Sequence, residues 1–274
     1  MNLSNSEKIR LKTKYGSWAI ITGATSGIGL ELTIQLAKSD FNILINSRHP
    51  EKLNEIEKSL KTFASIEIKK VATDVSEPEG IAKIIEASEG LNVGLLIVSA
   101  GYATSGNFID HDIKTELNMF KVNAEALLIL TRHFSRQFAR QKRGGIILMS
   151  SIVAFQGTPY ATHYSATKAY VQNLAEGLAM ELKSVGVDVL AAAPGPVNTG
   201  FGARADMKML MSMTPSAVAI PILRALGRRI TVYPGYLTKL MSYSLWLVPR
   251  WAKIKILGLF MKGMTAHQRK SAAV

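Results

Sequence analysis

The sequence predicts an α/β chain: a doubly wound parallel sheet in three αβα layers, followed by a mostly helical, basic C-terminal extension. Three observations predict it. Short apolar runs alternate with helix-length stretches down the chain, the pattern of successive βα units. Those runs are continuously apolar, VGLLIVS at 93–99 and GIILMS at 145–150 among them, as in strands covered on both faces. The first run passes through a turn with glycines at 23, 27 and 29 straight into a helical pattern.

After a polar leader, residues 17–22 read as a short buried strand, and the glycine turn at 23–29 opens an amphipathic helix to about residue 39. NILIN at 42–46 is the next strand, 51–62 a helix, 66–71 a strand and 78–87 a helix. The apolar run at 93–99 precedes a helical stretch over 113–140; then come a strand at 145–150, a helix at 161–185 and a strand at 187–193 ending in a proline-rich turn. Residues 230–233 can add a last strand. No internal repeat interrupts this order. The 274 residues fit one domain over 1–274, with its core at about 17–234 and a hydrophobic, basic extension over 235–274.

Composition excludes several classes of protein. With 47% hydrophobic and 19% charged residues the chain is too apolar for disorder. It has no cysteine, hence no disulfide or thiolate metal site, and its five histidines show no ligand spacing, so no metal is expected. The first residues lack an apolar leader and no run reaches the ~18 apolar residues of a membrane span, which reads as a cytoplasmic protein, soluble or peripheral. The net charge of +13 is concentrated in 200–274, where twelve cations face one acid, Asp206. No nucleic-acid motif accompanies that charge, so no nucleic acid is expected; anionic lipid or an anionic substrate fits better.

The turn Thr22-Gly23-Ala24-Thr25-Ser26-Gly27-Ile28-Gly29 has the context of a dinucleotide site, between an apolar strand and a helix. Missing Cβ atoms let backbone N–H groups approach a pyrophosphate at the helix N-terminus, as in Rossmann-type folds. Folds that select NAD place an acid at the end of the second strand. Here that strand ends Asn46-Ser47-Arg48; a hydroxyl and a guanidinium suit a 2′-phosphate, so NADP(H) is the expected cofactor.

Further on, Tyr164 and Lys168 stand four apart on one helical face. An adjacent ammonium favours phenolate and would lower a tyrosine pKa from near ~10, giving a general acid/base. Ser151 follows the 145–150 strand at the sheet's carboxyl edge, placed to polarise a carbonyl oxygen, although a strand-end turn is an equally ordinary role. Asn123 interrupts an apolar helical stretch, either as a hydrogen-bonded core amide or as a functional one.

Together these motifs resemble the short-chain dehydrogenase/reductase family in its short single-domain form, over about 18–199. The matches are TGATSGIG at 22–29, Asp74 and Val75 in TDV, Ala100 and Gly101 in SAG, Asn123, Ser151, YSATK at 164–168, and Pro194, Gly195, Val197 and Thr199 in PGPVNT. The resemblance implies that Tyr164 is the acid/base, that Lys168 lowers its pKa and holds the nicotinamide ribose, and that Ser151 orients the carbonyl. It implies that Asn123 holds a relay water and that Asp74 contacts adenine, the other matched residues lining the cofactor. A homo-oligomer, dimer or tetramer, paired through the two long helices is implied as well. One departure is Ser99, where the family commonly has an asparagine that braces the sheet. His163 has no family role and lies on another helix face than Tyr164.

The resulting expectation is an NADP(H)-dependent interconversion of carbonyl and alcohol, reducing a lipophilic ketone of 3-ketoacyl, steroid-like or similar type. The alternatives are a non-catalytic cofactor-binding regulator and a membrane-surface scaffold. Met207, Met209, Met211 and Met213 read equally as a lid over an apolar substrate or as helix packing. Residues 236–262 mix Trp246, Trp251 and Phe260 with Lys239, Arg250, Lys253, Lys255 and Lys262, without an acid. Pro249 and the cations divide that stretch into pieces too short to span. It reads either as peripheral contact with an anionic membrane or as helices packed on the core or on a second subunit.

Overall fold

Seven strands, β1 (Trp18–Thr22), β2 (Asn42–Ser47), β3 (Ile68–Ala72), β4 (Val93–Val98), β5 (Gly144–Met149), β6 (Val187–Ala192) and β7 (Thr231–Val232), pair in parallel in the order β3-β2-β1-β4-β5-β6-β7. The computed structural model describes residues 2–209, 211–245 and 247–271; Trp246, expected at the membrane face, lies outside them. Every residue of β1, β4 and β5 is buried, as continuous apolarity predicts. Their side chains alternate between two cores: Ala19 and Ile21 face one, Trp18 and Ile20 the other.

Helices α2 (Gly27–Ala37), α3 (Pro50–Lys61) and α9 (Pro215–Ala225) cover the first face with Leu32, Leu36, Leu53, Val218 and Ile222. The second face is covered by α4 (Pro78–Ala87), α6 (Ala126–Gln141) and α7 (Thr162–Glu181), through Ile81, Leu130, Phe134 and Val171. The sheet is therefore the middle of three layers. β1 and β4 are neighbours while their connections run to opposite sides, so a crevice opens at their carboxyl ends, where open α/β sheets bind ligands.

Three segments differ from the expected pattern. The polar leader is a helix, α1 (Asn5–Tyr15), capped by Ser4 and anchored by Leu11 and by Tyr15, whose hydroxyl donates to Asp188 Oδ2 at 2.7 Å. Its few buried positions gave no hydrophobic period to read. The expected helix over 113–140 is α5 (Ile113–Phe120), a π-turn at Lys121–Glu125 and α6 in succession. Helix α9 was not expected at all; it carries an internal proline, Pro221, yet packs its apolar face on α2. The strand expected at 66–71 lies slightly later, at β3.

Beyond the sheet come α8 (Gly200–Arg204), α10 (Tyr236–Ser244), α11 (Arg250–Met264) and α12 (Ala266–Ser271). Among the described residues no helix is long and apolar enough to cross a membrane.

Candidate active site

The turn after β1 depends on two glycines. Gly23 has φ +65°, and a Cβ there would stand 2.8 Å from Ala100 Cα; one on Gly29 would stand 2.3 Å from the Gly23 carbonyl oxygen. Only bare backbone packs this closely. No side chain caps α2, which leaves the amides of its first turn available to an anion. Thr22 Oγ1 accepts from the Ser99 and Ala100 amides at 3.1 and 3.2 Å. That pair of bonds braces β1 against the end of β4, where the family's usual asparagine is absent.

At the end of β2, Thr25 Oγ1 donates to Ser47 Oγ at 3.0 Å, and Arg48 reaches Asp74 Oδ2 at 3.4 Å. Burial pushes the Asp74 carboxyl up, but the Ser76 amide and Arg48 outweigh it and hold the group below the usual carboxylate range. Lys52, in the first turn of α3, joins Arg48 along this wall, and Arg204 of α8 reaches Ser26 Oγ at 3.5 Å. Neither was expected. Lys52 had a faint signal in its spacing from Arg48; Arg204 had none, since it lies 178 residues from its partner.

On the other side of the crevice α7 presents Tyr164 and Lys168, both buried. Lys168 Nζ donates to the Met149 carbonyl at 2.7 Å and lies 5.8 Å from the centre of the Tyr164 ring. Ser151 Oγ, at the end of β5, accepts from the Val153 amide at 3.4 Å. Asn123 occupies the π-turn, a distortion common where a helix serves a site. Its amide donates to the Tyr102 carbonyl at 2.9 Å and to Thr167 Oγ1 at 3.2 Å, while its oxygen accepts from the Tyr102 amide at 3.1 Å. It thereby joins the strand-end segment after β4 to α7.

The expected effect of Lys168 on Tyr164 is corrected here. Burial dominates both groups: it pushes the Tyr164 phenol well above its ordinary range, with only partial relief from the Ser151 hydroxyl, and pulls Lys168 down to about 8. The ammonium is directed to the Met149 carbonyl instead of the phenol oxygen.

One cavity of about 810 Å³ joins these parts. Gly23, Thr25, Ser26, Gly27, Ile28, Gly29, Ser47, Arg48, Asp74, Val75, Ala100, Gly101, Ser151, Tyr164, Lys168, Pro194, Gly195, Val197 and Thr199 all line it. Of the residues expected at the site, Thr22 and Asn123 do not; each holds backbone that does. The far end is apolar, with Phe201, Met207 and Met209 facing Leu257, Met261 and Met264 of α11. The methionine segment thus divides: Met207 and Met209 face the cavity, Met213 is buried in the main core and Met211 is exposed. Gly258 lets α11 approach Pro159, a Cβ there standing 3.2 Å from its ring.

This geometry has known counterparts. The family model for short chain dehydrogenases matches residues 17–209. The chain belongs to the short-chain dehydrogenase/reductase family, oxidoreductases that bind a nicotinamide cofactor. It is 31% identical over 232 residues to a 7beta-hydroxysteroid dehydrogenase of Mediterraneibacter gnavus, covering 82% of this chain and 88% of that one. A very-long-chain 3-oxoacyl-CoA reductase-like protein of Arabidopsis thaliana is 34% identical over 248 residues, 88% of this chain and 79% of its own. The solved structure of a 7beta-hydroxysteroid dehydrogenase superposes with a TM-score of 0.84 at 27% identity, covering 90% of this chain and 99% of that one.

The buried ammonium has a consequence for stability. A lysine whose folded pKa is lowered to about 8 binds fewer protons folded than unfolded between that value and its ordinary one, so native stability gains as pH rises through this window. In urea unfolding, wild type relative to Lys168→Met is therefore expected to gain about 1–3 kcal/mol between pH 7.5 and 10. A flat difference across that range would show that the ammonium carries no burial penalty.

Proposed function

We propose that the chain is an NADPH-dependent reductase of a bulky, lipophilic ketone, with Tyr164 as the general acid. The observation that carries this reading is the position of Tyr164: it stands on the wall of one cavity whose two ends differ, glycine turn and cations at one, methionines and α11 at the other. The residues fit a dinucleotide. Gly23 and Gly29 leave a cradle that a Cβ would fill, and the uncapped start of α2 supplies amides for a pyrophosphate. Asp74 and Val75 would hold the adenine end, Ser47, Arg48 and Lys52 a 2′-phosphate, and Lys168 the nicotinamide ribose. Ala100, Gly101, Pro194, Gly195, Val197 and Thr199 would line the rest.

A reduced nicotinamide held there would supply the hydride for the carbonyl carbon. The chain's own residues supply the remainder. Ser151 directs the carbonyl oxygen, and Tyr164, kept protonated by burial, donates its proton to that oxygen as it gains charge. Lys168, pulled down to about 8, is still mainly an ammonium at neutral pH and adds positive potential beside the developing alkoxide. Phe201, Met207, Met209, Leu257, Met261 and Met264 exclude water and favour an apolar substrate. Steroid-like and long-chain 3-ketoacyl ketones match that wall and the substrates named for the two relatives.

The outer surface of α10 and α11 supports a peripheral membrane contact. Tyr236, Leu240, Tyr243, Leu247, Trp251 and Leu259 are all more than half exposed, among five cations and no acid over 236–262. A second copy placed on this face about a twofold axis would set cations against cations, whereas anionic lipid complements them. The exposed Leu117, Phe120, Leu128 and Ile129 of α5 and α6, where Glu125 lies among the cations Lys121 and Arg132, offer a face of mixed charge for pairing two copies instead.

Three expected outcomes follow from this reading. Tyr164→Phe keeps NADPH binding within about twofold while ketone turnover drops by ~10²–10⁴-fold, the range of general acid catalysis; near-normal turnover would remove Tyr164 from the mechanism. Arg48→Ala weakens NADPH binding at least ~10-fold, as loss of a charged hydrogen bond costs about 1.5–3 kcal/mol, and leaves NADH nearly unchanged in fluorescence titration. Equal affinity of the wild type for both cofactors would contradict this. The protein sediments with anionic vesicles at low salt and is released as salt rises; failure to bind them at low salt would assign the α10–α11 face to other contacts.

A further inference from the structure

His163, the residue before Tyr164, belongs to a buried hydrogen-bonded cluster with no part in the reading above. Glu116 of α5 is 3% exposed, and each of its carboxylate oxygens takes one histidine: Oε1 faces His111 Nδ1 at 2.7 Å and Oε2 faces His163 Nδ1 at 2.5 Å. The other nitrogen of His111, Nε2, faces the Ser105 carbonyl at 3.2 Å. His111 thus stands between two oxygen acceptors, the Glu116 carboxylate and the Ser105 carbonyl. His163 needs one proton, on Nδ1; its ring stacks on Phe120 at 6.3 Å. Burial pushes the Glu116 carboxyl up, but bonds from Thr104, His163 and His111 outweigh it and hold the group ionised below its usual range. Glu116 therefore ties His111 to the first turn of α7 through His163.

The cluster also reaches the substrate end. Ser105 Oγ donates to the Ala205 carbonyl at 2.5 Å and accepts from Gln268 of α12 at 3.1 Å. Gln268 also donates to the Asp206 carbonyl at 2.8 Å. Ala103, Met119, Tyr164, Ala205, Met261 and Met264 pack as one apolar cluster just inside these bonds. The segment from Ala103 to His111 is thus fastened on one side to the cover of the cavity and on the other, through Glu116, to the helix that carries Tyr164.

We propose that Glu116 is a positioning residue: held between His111 and His163, it sets the place of Tyr164 relative to the substrate wall. This rests on the reading of Tyr164 as the general acid. The groups facing the cluster are Thr104, the Ser105 carbonyl and Tyr102 from the segment after β4, His163 from α7 and the neutral Gln268 from α12. Tyr102 turns its hydroxyl to Asn118 Oδ1 at 2.8 Å. Glu116→Gln leaves one oxygen to serve two histidines, while the cofactor end is untouched.

The test combines kinetics with ¹⁵N spectra of the histidine rings in the full-length protein. In the wild type His111 and His163 each carry a proton on Nδ1, hydrogen-bonded to the carboxylate; in Glu116→Gln, with one acceptor oxygen, only one of the two does. With the lipophilic ketone that the wild type turns over best, Glu116→Gln and His163→Asn each lower kcat at least tenfold, and NADPH affinity by fluorescence stays within about twofold. A folded Glu116→Gln protein with wild-type kcat and KM would overturn the proposal. So would wild-type ring tautomers that leave either Nδ1 without a proton, a measurement that does not depend on the variant folding, or an unchanged kcat in His163→Asn. If the wild type reduced no ketone while both Nδ1 atoms carried protons, the functional reading would fail and the hydrogen-bonded cluster would stand.

Discussion

Lys168 carries an ammonium almost wholly out of water with one described hydrogen bond, to the Met149 carbonyl, and the geometry of the site follows from keeping it there. A charge buried with so little compensation opposes folding; its lowered pKa corresponds to a penalty on the order of 3 kcal/mol at neutral pH. The surrounding structure holds α7 in register against that cost. Ser150 Oγ donates to the Lys168 carbonyl at 3.2 Å, Thr167 Oγ1 donates to the Tyr164 carbonyl at 2.8 Å, and Asn123 donates to Thr167 in turn. Asn123 can reach both Thr167 and Tyr102 because the π-turn displaces it from the regular helical path.

The same burial separates the two titratable groups in a useful direction. It keeps the phenol protonated and lowers the ammonium's pKa to about 8, so in the proposed reaction the donor would hold its proton before a carbonyl arrives. Perturbation of this kind is typical of functional sites, where stability is lost locally and regained in the core. Here the core that regains it is the fully buried centre of the sheet, in β1, β4 and β5.

The C-terminal helices have apolar residues on opposite sides, which a helix serving only as core packing does not need. Leu257, Met261 and Met264 of α11 are buried against the cavity, while Trp251 and Leu259 face outward at 65% and 73% exposure. Phe260 lines the cavity and is itself partly exposed, so the apolar wall and the outer apolar surface are continuous at that residue. Large apolar patches rimmed by cations are typical of contact surfaces, and under the proposed function the continuity with the cavity would give a lipophilic substrate a route in from that surface.

The strand–helix alternation was legible because burial on both faces of a parallel strand leaves an unbroken apolar run, and the glycine turn because only glycine permits its backbone approach. Tyr164, Lys168, Ser151 and Asn123 were legible as a set of residue types at ordered intervals. Helix α1 was not, since its anchors are two residues, Leu11 and Tyr15, in a polar stretch. Nor was the Glu116 cluster: His111, Glu116 and His163 carry no periodic signal and meet only when α5 packs beside α7. What the sequence by itself determined is therefore the local chemistry: which segments must be buried, where the backbone turns, and which side chains can hold a phosphate or move a proton. Only the tertiary structure decided that Lys168 turns to a carbonyl instead of to the phenol, that Met207 faces the cavity while Met213 joins the core, and that Arg204 arrives beside Ser26. Those outcomes depend on distances between residues far apart in the chain, which packing sets and local propensity does not.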